Sequence, residues 1–207
     1  MIKDSLYYAK ILLFGEYGII EDSMGLSIPY HFFKGSFDFA ATPNEVQRNS
    51  NESIRAFVGH LHLLEAQGEL PCEFDFARIQ RDLDAGLYFD SSIPQGFGVG
   101  SSGALVAAIY NQYAFAPIAQ ADIMQGDRLS ELKATLAKLE SFFHGKSSGL
   151  DPLICYLNLP ILIKGQGDLG TVGIPTENAE GKGAIFLMNS GSPGLPVKRG
   201  PPRQAYQ

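Results

Sequence analysis

The sequence predicts an α+β fold. Three observations carry that expectation: short aromatic and aliphatic strands occupy the first forty residues, helical periodicities follow them, and strand-like runs return after residue 160. Leu6 to Phe14 is an apolar, aromatic run with Lys10 inside it and Gly15 at its end, the pattern of a first strand. Gly25 to Tyr30 and Ser36 to Ala41 read as two further short strands, the second alternating Phe37 and Phe39 with polar neighbours. From Asn51 to Ala66 the spacing of Ile54, Phe57, Val58, Leu61 and Leu64 is helical, and Gly68 stops it. Cys72 to Ile79 fits either a strand or a helix start. Leu87 to Ile93 alternates as a strand and leads into a glycine loop. Beyond the loop, Leu105 to Ile109 is apolar enough for a buried helix. Arg128 to Phe143 is the clearest helix: Leu129, Leu132, Leu136, Leu139 and Phe143 form one stripe, Asp127 is placed to cap it, and Gly145 ends it. Ile161 to Lys164 and Ala184 to Asn189 read as strands. Gly191 to Gln207 mixes proline, glycine and basic residues without periodicity, the composition of an irregular, disordered tail.

Composition narrows the function classes. The chain has 207 residues, room for one large domain or for one domain and part of another, and 45% hydrophobic residues, enough for a packed core. A net charge of -6 argues against a broad nucleic-acid or membrane surface, although a local loop can still hold phosphates. Cys72 and Cys155 are far apart and show no metal-ligand spacing, which fits a reducing cytoplasm. Lys3, Asp4 and Lys10 interrupt any apolar run at the start, so no signal peptide is expected, and no stretch reaches the roughly 20 apolar residues of a membrane span.

The segment richest in chemistry is Pro94-Gln95-Gly96-Phe97-Gly98-Val99-Gly100-Ser101-Ser102-Gly103-Ala104. Alternating glycines bare the backbone amides to a ligand, and a helix start adds unpaired N–H groups at the positive end of the helix dipole. Together they suit an anion, phosphate above all. A plain serine-capped turn fits the same residues. No Gly-Lys-Ser/Thr follows, so this is no Walker loop, and no acidic residue about 20 positions on completes a dinucleotide fingerprint. A second segment runs Glu140-Ser141-Phe142-Phe143-His144-Gly145-Lys146-Ser147-Ser148-Gly149-Leu150-Asp151. Glu140 is either a solvated charge at the edge of the helix stripe or a ligand held over a cleft. Asp151 is either a turn residue or a base that accepts a hydroxyl proton. His144 fits a structural or hydrogen-bonding role better than a catalytic one. Phosphoryl transfer requires amides on the phosphates, a magnesium ligand, a cation and a base, and the chain offers the loop, Ser102 with Glu140, Lys10 and Asp151 for these parts.

Three segments in order resemble the GHMP small-molecule kinases, in particular their mevalonate kinase branch. Lys10-Ile11-Leu12-Leu13-Phe14-Gly15-Glu16-Tyr17-Gly18 is similar to the family's N-terminal lysine strand and Gly-Glu-His segment. Pro94 to Ala104 is similar to its Pro-x-x-x-Gly-Leu-Gly-Ser-Ser-Ala loop. His144 to Asp151 resembles its His-Gly-x-x-Ser-Gly-x-Asp segment, with Glu140 at the family's distance before the aspartate.

The resemblance implies ATP and Mg2+ as cofactors. Gly96, Gly98, Gly100, Ser101, Ser102 and Gly103 would wrap the phosphates, Ser102 and Glu140 would hold magnesium, and Asp151 would be the base with Lys10 supporting it. Glu16 and Tyr17 would lie at the substrate end. Tyr17 stands where the branch has histidine, so contacts there are expected to differ.

The implied fold is a ribosomal protein S5 domain 2-like N-terminal domain over residues 1–157, an incomplete ferredoxin-like C-terminal domain over 158–190, and the tail 191–207. The family's Thr-Gly-Ala-Gly-type loop has no counterpart in the chain, which points to a truncated end. The implied activity is transfer of the ATP γ-phosphoryl to the primary hydroxyl of mevalonate, for isoprenoid precursor synthesis, by a cytoplasmic enzyme. A homodimer is compatible with it, and neither nucleic acid nor membrane is expected as a partner. Two alternatives stand beside it: an inactive fragment that only binds nucleotide, and a kinase of the same family for another small alcohol.

Overall fold

The computed structural model describes residues 5–15, 24–123, 127–164, 168–172, 187–188 and 191. It is an α+β arrangement in which helices pack on an antiparallel sheet. Strand β1 (Tyr7–Phe14) pairs with a long strand β2 (Gly25–Phe39). The two short strands expected at 25–30 and 36–41 are therefore one. The register jumps from Ala9↔Tyr30 to Tyr8↔Lys34, so residues 31–33 of β2 bulge out of the ladder. That bulge breaks the alternation on which a sequence pattern depends.

Strand β3 (Leu87–Ser91) pairs with Gly35–Phe39 of β2. At the other end of β2, Gly25–Ser27 pairs with β4 (Ile161–Ile163), which pairs in turn with β5 (Leu169–Thr171). β4 and β5 thus extend the sheet made by the preceding residues. The strand expected over 184–189 lies outside the described residues except for Leu187 and Met188, which are in no strand, and only Gly191 of the expected tail is described.

Helix α1 (Glu45–Ala66) begins six residues earlier than its apolar periodicity predicts, because Asn44 and Gln47 form a reciprocal capping box. Cys72–Ile79 resolves into a bridge at Phe74 and the start of α2 (Phe76–Asp84), capped by Asp75. Helices α3 (Ser101–Tyr113) and α4 (Arg128–His144) stand where expected. Asp127, expected to cap α4, makes no capping hydrogen bond, since its backbone at φ -88 and ψ 13 lies near helical values instead of the extended geometry of a cap.

Helix α5 (Leu150–Leu157) was not expected. It starts from Gly149 in a left-handed conformation and carries Pro152 in its first turn, where a missing N–H costs nothing. α3 is buried from Gly103 to Tyr110 and runs through the centre of the core, with Ile54, Phe57 and Leu61 of α1, Leu132, Leu136 and Leu139 of α4, and Leu153 and Ile154 of α5 around it. Among the described residues no helix is long and apolar enough to cross a membrane.

Candidate active site

The glycine loop is built onto the edge of β1 that faces away from β2. The Lys10 amide donates to the Val99 carbonyl at 3.0 Å, which ties the end of the loop to the strand that carries the lysine. Gly96, Gly98 and Gly100 have φ of +81°, +70° and +85°, values open to glycine and strained for other residues. Gly100 is the N-cap of α3, and among the described residues no side chain caps the helix there and none accepts from the first amides of α3, those of Ser101, Ser102 and Gly103. Gly103 has a second duty. A Cβ on it would lie 2.8 Å from the Asp151 carbonyl carbon and the Pro152 nitrogen. Its bare backbone lets α5 start directly against the first turn of α3.

That contact brings two helix N-termini together, and the charged residues gather there. Lys10 Nζ lies 2.9 Å from Asp151 Oδ1, with the lysine side chain 11% and the aspartate 34% exposed. The lysine stem runs past Gly100, where an added Cβ would meet Lys10 Cγ at 2.9 Å and Cys155 Sγ at 3.4 Å. Asp151 occupies the first turn of α5, where the helix dipole favours a negative charge.

Glu140 comes from the last turn of α4. It is only 3% exposed, so it is no edge charge on a solvated face. Ser102 Oγ lies 3.4 Å from its Oε1, and Ser147 Oγ donates to its Oε2. Burial raises the Glu140 carboxyl from its ordinary 4.5 to about 7. The Ser147 hydrogen bond opposes that rise, the nearby Asp151 charge adds to it, and Ser102 and Lys10 lower it. Ser102 Oγ is also 3.0 Å from His144 Nε2. The hydroxyl has one proton and serves both neighbours when the imidazole carries its proton on Nε2.

Of the sequence-predicted residues that the structure describes, Lys10 from β1, Gly100, Ser102 and Gly103 from the loop end and α3, Glu140 from α4 and Asp151 from α5 come together, while Gly96 and Gly98 lie exposed earlier in the loop, with Ser101 at the first position of α3. Glu16 and Tyr17 lie outside the described residues. Sequence reasoning gave no role to Ser147, whose hydroxyl faces Glu140, or to Cys155, buried beside Gly100 with its thiol 3.7 Å from the Gly100 carbonyl. It did assign His144 a hydrogen-bonding part, and Ser102 is the partner.

The donor set fits a small hard cation. Ser102 and Glu140 offer a hydroxyl and a carboxylate oxygen close together, and burial leaves the carboxylate short of compensating charge. Among the described residues no group of three or more His, Cys, Asp or Glu side chains forms an all-protein metal cage. Two oxygen ligands, with the rest of the shell left to water and phosphate, is the pattern magnesium favours in phosphoryl-transfer sites.

Residues 72–158 match the family model of the GHMP kinases N terminal domain. The match includes the glycine loop, Glu140 and Asp151, and leaves Lys10, Glu16 and Tyr17 outside it. Among solved structures the chain resembles a mevalonate kinase at 12% identity with a TM-score of 0.45, over 81% of this chain and 55% of that one. It resembles the mevalonate kinase from methicillin-resistant Staphylococcus aureus MRSA252 at 17% identity and a TM-score of 0.43, over 81% and 54% of the two chains. It also resembles L. major mevalonate kinase in complex with R-mevalonate at 17% identity and a TM-score of 0.46, over 83% and 52%. The chain spans about half the length of these structures. No curated protein matches it.

Proposed function

We propose that this chain, whose residues 72–158 match the GHMP kinases N terminal domain, is an ATP-dependent phosphotransferase acting on the hydroxyl of a small alcohol, with mevalonate as its substrate. The observation that carries the proposal is the Lys10–Asp151 ion pair set between the N-termini of α3 and α5, beside a glycine loop with open amides.

The loop amides and the start of α3 bind the anionic phosphates and orient the γ-phosphoryl. Ser102 and Glu140 would hold magnesium, which when bound neutralises charge on the transferred group. Asp151 accepts the proton of the alcohol as the oxygen–phosphorus bond forms and the bond to the leaving ADP oxygen breaks. Lys10 fixes the Asp151 carboxylate at 2.9 Å and keeps a positive charge beside the oxygen that loses its proton. Glu16 and Tyr17, outside the described residues, are proposed as substrate contacts on the resemblance of their segment alone. The proposed setting is the cytoplasm, and a homodimer is compatible with the reading.

The test is ADP release by the purified chain against a panel of mevalonate, homoserine, phosphomevalonate and a simple sugar. The proposal expects release that depends on mevalonate. Preference for another alcohol reassigns the substrate within the same chemistry. ATP binding without release on any member of the panel supports a nucleotide-binding fragment in its place.

A further inference from the structure

Ser147 stands at a position the His-Gly-x-x-Ser-Gly-x-Asp pattern leaves open, and it makes the inward contacts of this segment. Its hydroxyl donates to Glu140 Oε2 and accepts the Gly149 amide at 2.9 Å. Ser148, the serine of the pattern, is exposed and accepts the Leu150 amide at 3.3 Å. Gly149 is itself wedged against α4: a Cβ there would lie 2.3 Å from the Lys133 carbonyl oxygen and 2.9 Å from Ala137 Cβ. One hydroxyl thus joins three things: the buried carboxylate on α4, the chain entering α5, and, two residues further on, Asp151.

We propose that Ser147 is a positioning residue that holds the Glu140 carboxylate in one rotation, with Oε2 occupied and Oε1 turned to Ser102 and open to a cation. The proposal rests on the assignment of Glu140 and Ser102 as the magnesium ligands. The geometry gives a reason for the division of labour between the two carboxylate oxygens. A carboxylate on a helix end swings about its terminal bond unless a second group fixes it. Ser102 alone, at 3.4 Å, is a weak restraint. Ser147 supplies the strong one, and because the same oxygen accepts from Gly149, it couples the orientation of Glu140 to the start of the helix that carries Asp151. The Lys10–Asp151 pair fixes the other side of that helix start.

The test uses the full chain and three variants: Ser147→Ala, Ser147→Thr and Glu140→Gln. Mn2+ binding in the presence of ADP is followed by electron paramagnetic resonance, ADP binding without metal by calorimetry, and the thermal midpoint of metal-free protein by circular dichroism. Ser147→Ala is expected to weaken Mn2+ about tenfold, the size of loss seen when a group supporting a metal ligand is removed. ADP binding without metal stays as in the wild type. Ser147→Thr, which keeps the hydroxyl, restores Mn2+ affinity. In the metal-free protein, Ser147→Ala lowers the midpoint in the wild-type background and lowers it less in a Glu140→Gln background, because the two side chains act as a pair.

Unchanged Mn2+ affinity in Ser147→Ala, alongside a loss in Glu140→Gln, overturns the positioning role and leaves Glu140 as a ligand. Unchanged affinity in both overturns the assignment of Glu140 and the proposal with it. Equal loss in Ser147→Ala and Ser147→Thr also overturns it, since the hydroxyl would then not be the active element.

Discussion

Glu140 shows how far a single residue's environment can depart from its sequence signature. A glutamate at the edge of a leucine stripe is ordinarily a solvated charge, yet here it is buried with two serine hydroxyls as neighbours. Its folded value of about 7 lies above the ordinary 4.5, so the folded protein binds the extra proton between those values and stability falls as pH rises through them. At low pH the carboxyl is neutral in both states and costs nothing. Above about pH 7 the full cost is present, about 3 kcal/mol by the linkage relation for a rise from 4.5 to about 7. Glu140→Gln, neutral at every pH, should therefore gain on the wild type in metal-free urea unfolding as pH goes from 5 to 8. A stability difference that stays flat over that range would show that Glu140 is not desolvated.

Lys10, Ser102, Glu140 and Asp151 lie in segments that the sequence singles out, and the structure brings their side chains near one another. The partnership of Ser147 with Glu140 was not legible in the sequence. A serine in a Ser-Ser-Gly turn carries no signal of which neighbour its hydroxyl will face. That choice is set by Gly149, which presses the turn against α4. The burial of Glu140 was ambiguous for the same reason: the side that α3 covers is decided by tertiary packing, not by helical spacing.

The elements were legible wherever periodicity was unbroken, as in α4 and β1. α1 begins early because of a capping box, a signal present in the sequence as Asn44-x-x-Gln47 but lying outside the apolar stripe. Asn44→Ala should cost about 1 kcal/mol of stability in urea unfolding, the usual size for a lost N-cap, and fray the first turn of α1 in hydrogen exchange. β2 was split in two because its bulge at 31–33 interrupts the alternation. α5 carries no helical signature because its left-handed glycine and early proline have the pattern of a turn, and only packing buries Leu153 and Ile154.

The contact between α3 and α5 is the element-scale feature that builds the site. An alanine at position 103 sets a Cβ 2.8 Å from backbone atoms on α5, which cannot swing aside as a side chain would. Gly103→Ala is expected to destabilise the protein by about 1–3 kcal/mol, the range for overpacking, measured by chemical unfolding. It also moves Asp151 away from the loop. A fully stable Gly103→Ala protein would mean that the two helix starts are not in close contact.

At the scale of the whole molecule, the sheet and its helices bring β1, the glycine loop, α4 and α5 to one edge, and the α+β class followed from the sequence. The chain spans about half the length of the mevalonate kinase structures it resembles. The net charge of -6 gives a phosphate no general attraction, so the proposed ATP binding rests on the loop amides, the helix start and Lys10 acting locally.

The most direct measurement is phosphoryl transfer from radiolabelled ATP to mevalonate by the wild-type chain and by Asp151→Asn, with ATP affinity determined on the same two samples. The wild type is expected to form phosphomevalonate. Asp151→Asn should bind ATP nearly as well and transfer about 100- to 10,000-fold more slowly, the range for loss of a general base. Full transfer by Asp151→Asn would contradict the assignment of Asp151 as the base, and ATP binding by the wild type with no labelled product would contradict the proposed activity.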